Sequence, residues 1–142
     1  MTAHALTRAP EMERVGLDAH LRDHFDGFAW AVGIIEGEGC IREARPDAQH
    51  TYARITVQMT DQDVVRRLFE TLGCGTIRGP RAHPGTNRQD TWEWDVSGAA
   101  AARLLRRMLP YLGERRRSRS IACLTECGEL RNDQLVLDGE VA

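Results

Sequence analysis

The sequence contains no lysine, and all 19 of its basic residues are arginines. We give this absence little weight because the base composition of a genome explains it simply. The chain also has no apolar run of about 18 residues, the length at which a transmembrane helix is considered, which argues against a membrane span. Its first residues lack the basic start and apolar stretch of a signal peptide. We therefore expect a cytoplasmic protein with no membrane partner.

The four cysteines form no CxxC pair, and no histidine stands beside them at the spacing of zinc ligands. Cys123 and Cys127 are one helical turn apart, as two small residues on a buried stripe would be. Thiols stay reduced in the compartment expected for this chain. The sequence therefore predicts four reduced structural thiols, at Cys40, Cys74, Cys123 and Cys127.

The net charge of −2 argues mildly against a nucleic-acid partner, but the charges are unevenly distributed. Residues 1–39 contain three arginines and seven acids, whereas residues 101–120 contain seven arginines and one acid. Such an arginine cluster would neutralise phosphates and release counterions, although a solvated helix face carries similar charges. The cluster consists of Arg103, Arg106, Arg107, Arg115, Arg116, Arg117 and Arg119.

Hydrophobic periodicity predicts two helices and two strands in the first half of the chain. The apolar stretch from Phe25 to Ile35 has helical length, and the glycines that follow are expected to end it. Cys40 to Ala44 is a short strand, and Tyr52 to Met59 alternates as a half-buried strand. Gln62 to Leu72 carries the apolar stripe of a helix, capped by Thr60 or Asp61.

The second half repeats two strands and ends in two helices. Thr76 to Arg78 begins a strand, a loop follows from Gly79 to Asp90, and Thr91 to Val96 is the next strand. Ser97 caps a helix that runs through Met108, and Glu114 to Leu130 forms the last helix. We expect an α+β fold with one antiparallel sheet, helices on one face and the other face open. The domain spans residues 25–130, between an N-terminal arm (1–24) and an acidic tail (131–142).

The open side of the second strand is rich in hydrogen-bonding groups. Its members are Tyr52, Arg54, Thr56 and Gln58, and Arg42 lies on the neighbouring strand. A two-stranded ribbon fits the DNA major groove, where arginine and glutamine suit guanine and adenine edges. An ordinary solvent-facing side of a sheet is the alternative.

The first helix carries small residues and ends in an acidic turn. Ala29, Gly33 and Gly37 fall at i, i+4 and i+8, a spacing that lets two helix backbones approach closely. Two such helices would bring two Glu38 carboxylates together, where a hard divalent cation would offset their repulsion. The alternative is a simple helix end with surface glutamates.

The segment Ala31 to Gly39, AVGIIEGEG, resembles the nine-residue signature of LAGLIDADG homing endonucleases. Similarity to the family's single-motif members continues in Ile55 to Ile77, Trp92 to Gly98 and Leu104 to Arg117. The resemblance implies a homing-endonuclease-like α-β-β-α-β-β-α-α fold with a saddle-shaped antiparallel sheet. Because one copy of the signature is present, it also implies a homodimer on a pseudo-palindromic DNA site.

The resemblance further implies roles for individual residues. The metal-binding acid of the family is the eighth signature residue, here Glu38, and the carbonyl of Gly37 is a second ligand for Mg²⁺ (or Mn²⁺). Asp61 matches a polar residue that orders water. Arg115 stands about where the family often has lysine, and arginine stabilises phosphate charge but cannot act as a base. The dimer interface is assigned to Ala29, Gly33, Glu36 and Gly37.

These observations predict a sequence-specific endonuclease of double-stranded DNA, without a small-molecule substrate, that associates with the nucleoid when bound. The alternatives are a non-cleaving DNA-binding regulator on the same fold, an intron RNA maturase, or a globular domain with no nucleic-acid role. The predicted DNA-binding residues are Arg42, Tyr52, Arg54, Thr56, Gln58, Arg78, Arg81, Asn87, Arg88, Gln89, Arg116 and Arg117.

Overall fold

The computed structural model describes residues 27–129, so the predicted N-terminal arm and acidic tail lie outside the described part of the chain. Within that part, four α-helices and a four-stranded antiparallel sheet confirm the predicted α+β fold. The elements are α1 (Gly27–Glu38), β1 (Gly39–Ala44), β2 (Tyr52–Met59), α2 (Gln62–Leu72), β3 (Thr76–Arg81), β4 (Thr91–Ser97), α3 (Gly98–Met108), a 3₁₀ turn (Leu109–Tyr111) and α4 (Glu114–Glu126). No helix among these residues is long and apolar enough to cross a membrane.

The strands lie in the order β1-β2-β4-β3, and each neighbouring pair is antiparallel. The two hairpins are joined through β2 and β4, where Ile55 lies opposite Val96. The register of β3 shifts between Arg78 and Arg81, around a cis Gly79-Pro80 peptide. Proline has no N–H to donate to the ladder, which accounts for the interruption at this position.

The core lies between one face of the sheet and the helices. Ile41, Ile55, Val57, Trp94 and Val96 are buried on the strands, at every second position as the alternation predicted. The indole of Trp94 also donates a hydrogen bond of 2.9 Å to the carbonyl of Cys74, so its polar atom is satisfied inside the core. The opposite face of the sheet, called the open face, carries Arg42, Arg54, Gln58, Arg78 and Glu93.

Three element boundaries differ from the sequence prediction. The first helix does not stop after Ile35 but continues to Glu38, and β1 begins at the next residue. β3 extends to Arg81 instead of giving way to a loop at Gly79. The last helix ends at Glu126 rather than at Leu130, because the chain turns at Gly128, where φ is +71°.

Candidate nucleic-acid interface and metal site

The acidic end of α1 passes into β1 without a connecting loop. Glu38 is the last helical residue and is exposed, whereas Gly39 is buried at the start of the strand. A Cβ atom at Gly39 would lie 2.5 Å from the carbonyl oxygen of Ile35, so a larger residue would displace the backbone. Glycine at this position therefore permits the sharp junction that presents Glu38 at the end of the sheet.

Arg116 of α4 forms hydrogen bonds to the main chain on both sides of this junction. Its Nε donates a hydrogen bond of 2.8 Å to the carbonyl of Glu36, and its Nη1 donates to the carbonyl of Gly39. The carboxylate of Glu36 in turn accepts a hydrogen bond of 3.3 Å from the backbone N–H of Gly113. These contacts fix the main chain around Glu38, and they give Glu36 a partner inside its own chain.

A second arginine of α4 fastens β1 next to this point. Arg119 pairs with Glu43 through two hydrogen bonds of 3.0 and 2.6 Å, and its Nε donates to the carbonyl of Ile41. The hydrogen bond from Arg119 lowers the pKa of Glu43, and the same bond raises the pKa of Arg119. Arg119 of α4 therefore holds β1 at Ile41 and at Glu43.

A cleft of about 290 Å³ lies between β1 and α4, directly beside the residue that follows Glu38. Arg115, which the resemblance predicted to stabilise phosphate charge, is exposed and lines this cleft. Arg117 is also exposed, one residue beyond Arg116. The complete lining consists of Gly39, Cys40, Ile41, Arg115, Arg116 and Arg119.

Asp61 lies at the same end of the sheet as Glu38. Gly39 pairs with Val57, so the last residues of β2 lie beside the start of β1, and Asp61 follows β2 as the exposed N-cap of α2. Its side chain makes no capping hydrogen bond to the helix. Among residues 27–129, no group of three or more His, Cys, Asp or Glu side chains could hold a metal ion.

The register of the strands sets the predicted DNA-binding residues in rows across the open face. Arg42 lies opposite Arg54, and Gln58 lies opposite Glu93, which in turn pairs with Arg78. A shallow cleft of about 190 Å³ brings several of these side chains together. It is lined by Gln58, Arg78, Gly79, Arg81, Thr91 and Glu93.

The remaining predicted contacts flank these rows. Tyr52 is half-buried at the start of β2, and Thr56 is half-buried near its middle. The loop between β3 and β4 carries three exposed polar residues, Asn87, Arg88 and Gln89. The structure therefore brings Gln58, Arg78 and Arg81 to one cleft and leaves the loop residues at the edge of the sheet.

Sequence reasoning missed one acidic residue on the open face. Asp95 is only 7% exposed, and its Oδ2 accepts a hydrogen bond of 2.9 Å from Nε of Arg54 and another from Nη2. Asp95 thereby raises the pKa of Arg54. The alternation of β4 could have placed Asp95 on this face, but its partner is set by the pairing of β4 with β2, which the sequence does not reveal.

The small-residue stripe of α1, formed by Ala29, Gly33 and Gly37, is exposed along its whole length. A Cβ atom built at Gly33 or at Gly37 would meet no atom within 4 Å. Glycine inside a helix costs about 0.8–1 kcal/mol relative to alanine. Packing within the described chain therefore gives no reason for either glycine.

An open sheet face, a helix with a free glycine stripe that ends in a carboxylate, and an arginine-rich last helix define a class of protein. They are features that the resemblance to the homing endonucleases predicted for this chain. Comparison with solved structures confirms the resemblance: the chain shares the fold of the LAGLIDADG homing endonucleases.

The similar structures include the homing endonuclease I-CvuI, solved with an I-CreI target in 2 mM Mg and with the DNA uncleaved. The two chains share 27% identity over 74% of this chain and 68% of I-CvuI, with a TM-score of 0.56. The archaeal intron-encoded I-Vdi141I, complexed with DNA, is 14% identical over 71% of this chain and 66% of that chain (TM-score 0.55). The LAGLIDADG meganuclease I-AabMI, bound to uncleaved DNA, is 16% identical over 79% of this chain and 39% of that chain (TM-score 0.55). No protein-family model and no curated protein matches the sequence.

Proposed function

We propose that this chain is a sequence-specific endonuclease of double-stranded DNA that acts as a homodimer with a divalent metal ion. The observation that carries the proposal is the free glycine stripe of α1, which ends in exposed Glu38 beside the arginine-lined cleft. A second copy packed along this stripe would supply what one chain lacks, a second carboxylate at the same point.

The residues at the junction fit a hard divalent cation. Gly37 and Glu38 are exposed residues, and the carbonyl of the first and the carboxylate of the second are oxygen donors of the type that Mg²⁺ (or Mn²⁺) prefers. Two copies together would provide four such donor groups, and Mg²⁺ characteristically fills its other positions with water and phosphate oxygens. When bound, the ion would supply charge to polarise the scissile phosphates.

The remaining chemistry falls to the side chains around the cleft. Arg115 would place a permanent positive charge beside the phosphate, where charge builds up during hydrolysis. Because arginine does not deprotonate, it cannot take the proton of the attacking water. Asp61, at the same end of the sheet and without a capping bond, would accept hydrogen bonds from that water and orient it.

Arg116 has a different role in this proposal from the DNA contact predicted from its charge. Two of its donors are already used on the carbonyls of Glu36 and Gly39. Because these bonds hold the main chain on both sides of Glu38, we assign Arg116 to positioning Gly37 and Glu38, and its three other donors stay available for a phosphate. Glu36 likewise acts within its own chain, through the N–H of Gly113 that begins α4.

The open face would lie against the DNA. Arginines outnumber acids on this face. Glu93 lies opposite Arg78 in the strand pairing, and Asp95 accepts a hydrogen bond from Arg54. Phosphate contacts hold such a protein on the duplex, and base-edge contacts give it sequence preference. The proposed contacts are Arg42, Tyr52, Arg54, Thr56, Gln58, Arg78, Arg81, Asn87, Arg88, Gln89 and Arg117.

The proposal is tested by selecting duplexes from a random pool and then measuring their cleavage in Mg²⁺ or Mn²⁺. Glu38→Gln removes the proposed metal ligand, and Glu70→Gln is the matched control, since Glu70 is an exposed glutamate on α2. We expect the wild-type and control proteins to cut both strands, while Glu38→Gln binds the same duplex without cutting it. Equal cutting by the Glu38 variant would contradict the role given to this residue.

The same assay separates the alternatives. Sequence-selective binding by the wild-type protein, with no cleavage in any divalent metal, would identify a DNA-binding regulator on this fold. A preference for structured RNA in a gel-shift competition would identify a maturase. Negligible binding that does not depend on salt would contradict any nucleic-acid role, because phosphate contacts produce a steep salt dependence.

A further inference from the structure

We infer that Asp95 is a specificity-determining positioning residue, which holds the guanidinium of Arg54 so that its remaining donors face a guanine in the major groove. The inference rests on the proposed function, because it concerns how the open face reads DNA. Three features of the structure support it: the burial of the carboxylate, the donors that it leaves free, and the neighbours of Arg54.

The burial of Asp95 is the first feature. A carboxylate that is 7% exposed loses most of its hydration, and that loss must be offset by hydrogen bonds. On a DNA-binding face the same charge also repels phosphates, so it weakens binding at long range. A residue that carries both costs needs a compensating role, and Asp95 accepts two hydrogen bonds from the guanidinium of Arg54.

The geometry of the pair is the second feature. Arginine has five N–H donors, and Asp95 Oδ2 takes one from Nε and one from Nη2 of Arg54. The three donors that remain lie on Nη1 and Nη2, the edge that matches O6 and N7 of guanine. The Arg54 side chain is still 26% exposed, so it is accessible from the open face. A guanidinium held in this way loses less side-chain entropy when it binds a base.

The neighbours of Arg54 are the third feature. Arg42 lies directly opposite Arg54 on β1, so two positive charges face each other across the strands. Released from Asp95, the long Arg54 side chain would turn away from Arg42 and follow the nearest phosphate. Held by Asp95, it stays near the middle of the sheet, where the carboxylate also disfavours a phosphate. The pair therefore favours a base edge over the DNA backbone.

A purely structural role for Asp95, as a counter-charge for Arg54, predicts different behaviour. It would change the thermal stability of the protein on mutation, but it would leave base preference unaltered. The two roles are separated by measuring base preference and stability on the same set of variants.

The experiment compares the wild-type protein with Asp95→Asn, Asp95→Ala, Arg54→Ala and the double variant Arg54→Ala/Asp95→Ala. Each is selected against a random duplex pool, and its affinity is then measured on single-base-pair variants of the best duplex at several salt concentrations. Glu93→Gln is the matched control, since it removes the same charge from the same strand but not a hydrogen-bond partner of Arg54. Asp95→Asn keeps the volume of the side chain, which guards against loss of the fold.

We expect the Asp95 and Arg54 variants to lose about tenfold or more of their discrimination at one shared G·C pair in each half-site. We also expect the Asp95 variants to bind other duplexes more tightly, with a salt slope steeper by about 0.9 for each arginine released. Glu93→Gln should keep the preference at that base pair.

The inference is overturned if Asp95→Asn and Asp95→Ala keep every base preference within twofold of the wild-type protein. It is also overturned if Arg54→Ala leaves all preferences unchanged, or if Glu93→Gln and Asp95→Asn behave alike. Failure of the proposed function has a separate signature. In that case the wild-type protein itself enriches no duplex sequence, whatever the variants do.

Discussion

Replacing Gly33 with alanine distinguishes a helix that is paired with a second copy from one that faces only solvent. Gly33 is exposed in the middle of α1, and a Cβ atom there would meet no atom within 4 Å of its own chain. In a protein that remains a monomer, the substitution adds the best helix former at an open position. In the proposed dimer, the added methyl group enters a contact between two helix backbones. The substitution is therefore expected to stabilise a monomer but to weaken a dimer.

The size of each effect follows from the structure. For an isolated chain, the change from glycine to alanine stabilises the fold by about 0.8–1 kcal/mol, because it removes backbone freedom from the unfolded state. A gain of that size raises the Tm of a domain of this length by about 4 °C or more. For a packed seam, extra methyl groups cost about 1–3 kcal/mol, which corresponds to a dissociation constant raised by about 5- to 150-fold.

The assay is sedimentation of the free protein combined with thermal unfolding at several protein concentrations. We expect the wild-type Tm to rise with concentration, as linkage to a dimer requires. Gly33→Ala should weaken the dimer, and Gly33→Leu should abolish it and the concentration dependence. Ala122→Leu is the control, because Ala122 is an exposed helical residue outside the seam. A higher Tm for Gly33→Ala with an unchanged association state would refute the reasoning.

The remaining predictions concern the hydrogen bonds of Arg116 and Arg119 and the cysteine thiols. Arg116→Ala should destabilise the protein by about 1–3 kcal/mol in an unfolding experiment, since it removes charged hydrogen bonds to two carbonyls. The same variant should need a higher Mg²⁺ concentration for cleavage, which a metal titration measures. Glu43→Gln should cost less than about 1 kcal/mol because Arg119 is partly exposed. The pKa of Glu43 is lowered, so the stabilisation by the Glu43–Arg119 pair is fully present above the ordinary glutamate value of 4.5. It is lost as the pH falls through the lowered pKa. Urea unfolding across pH 3 to 7 would show this loss. Burial raises the pKa of Cys123 to about 12, so a thiol reagent at neutral pH should label exposed Cys40 well before Cys123, and bound DNA should slow the labelling of Cys40.

Most of the fold could be predicted because its signals are local. The alternation of β2 and the apolar stripe of α2 gave the bounds Tyr52–Met59 and Gln62–Leu72 that the structure has. The end of α1 could not be predicted from glycine alone, because the helix runs through Gly37 to Glu38, where Arg116 of α4 holds the carbonyls of Glu36 and Gly39. The last helix was predicted too long because the turn at Gly128 outweighs the helical pattern beyond it.

The candidate site likewise combines local features, which the sequence predicts, with long-range contacts, which it does not. The spacing of Ala29, Gly33 and Gly37 was sufficient to predict a small-residue stripe on a helix, but the glycines after Ile35 did not predict that the same helix runs on to Glu38. The partners of Arg54 and Arg116 come from residues 41 and 77 to 80 positions away in the chain, and a run of arginines does not reveal which of them contact protein. Those contacts depend on strand register and on the docking of α4 against β1, neither of which is encoded locally.

The central claim is that the catalytic site is completed only when two copies of this chain meet on DNA. The most direct test is the mass of the complex on a single selected duplex, measured by native mass spectrometry with the full chain. The account predicts two protein chains for each duplex, and predicts that Gly33→Leu prevents this complex from forming. One chain bound to one duplex and cutting it in Mg²⁺ would contradict the claim.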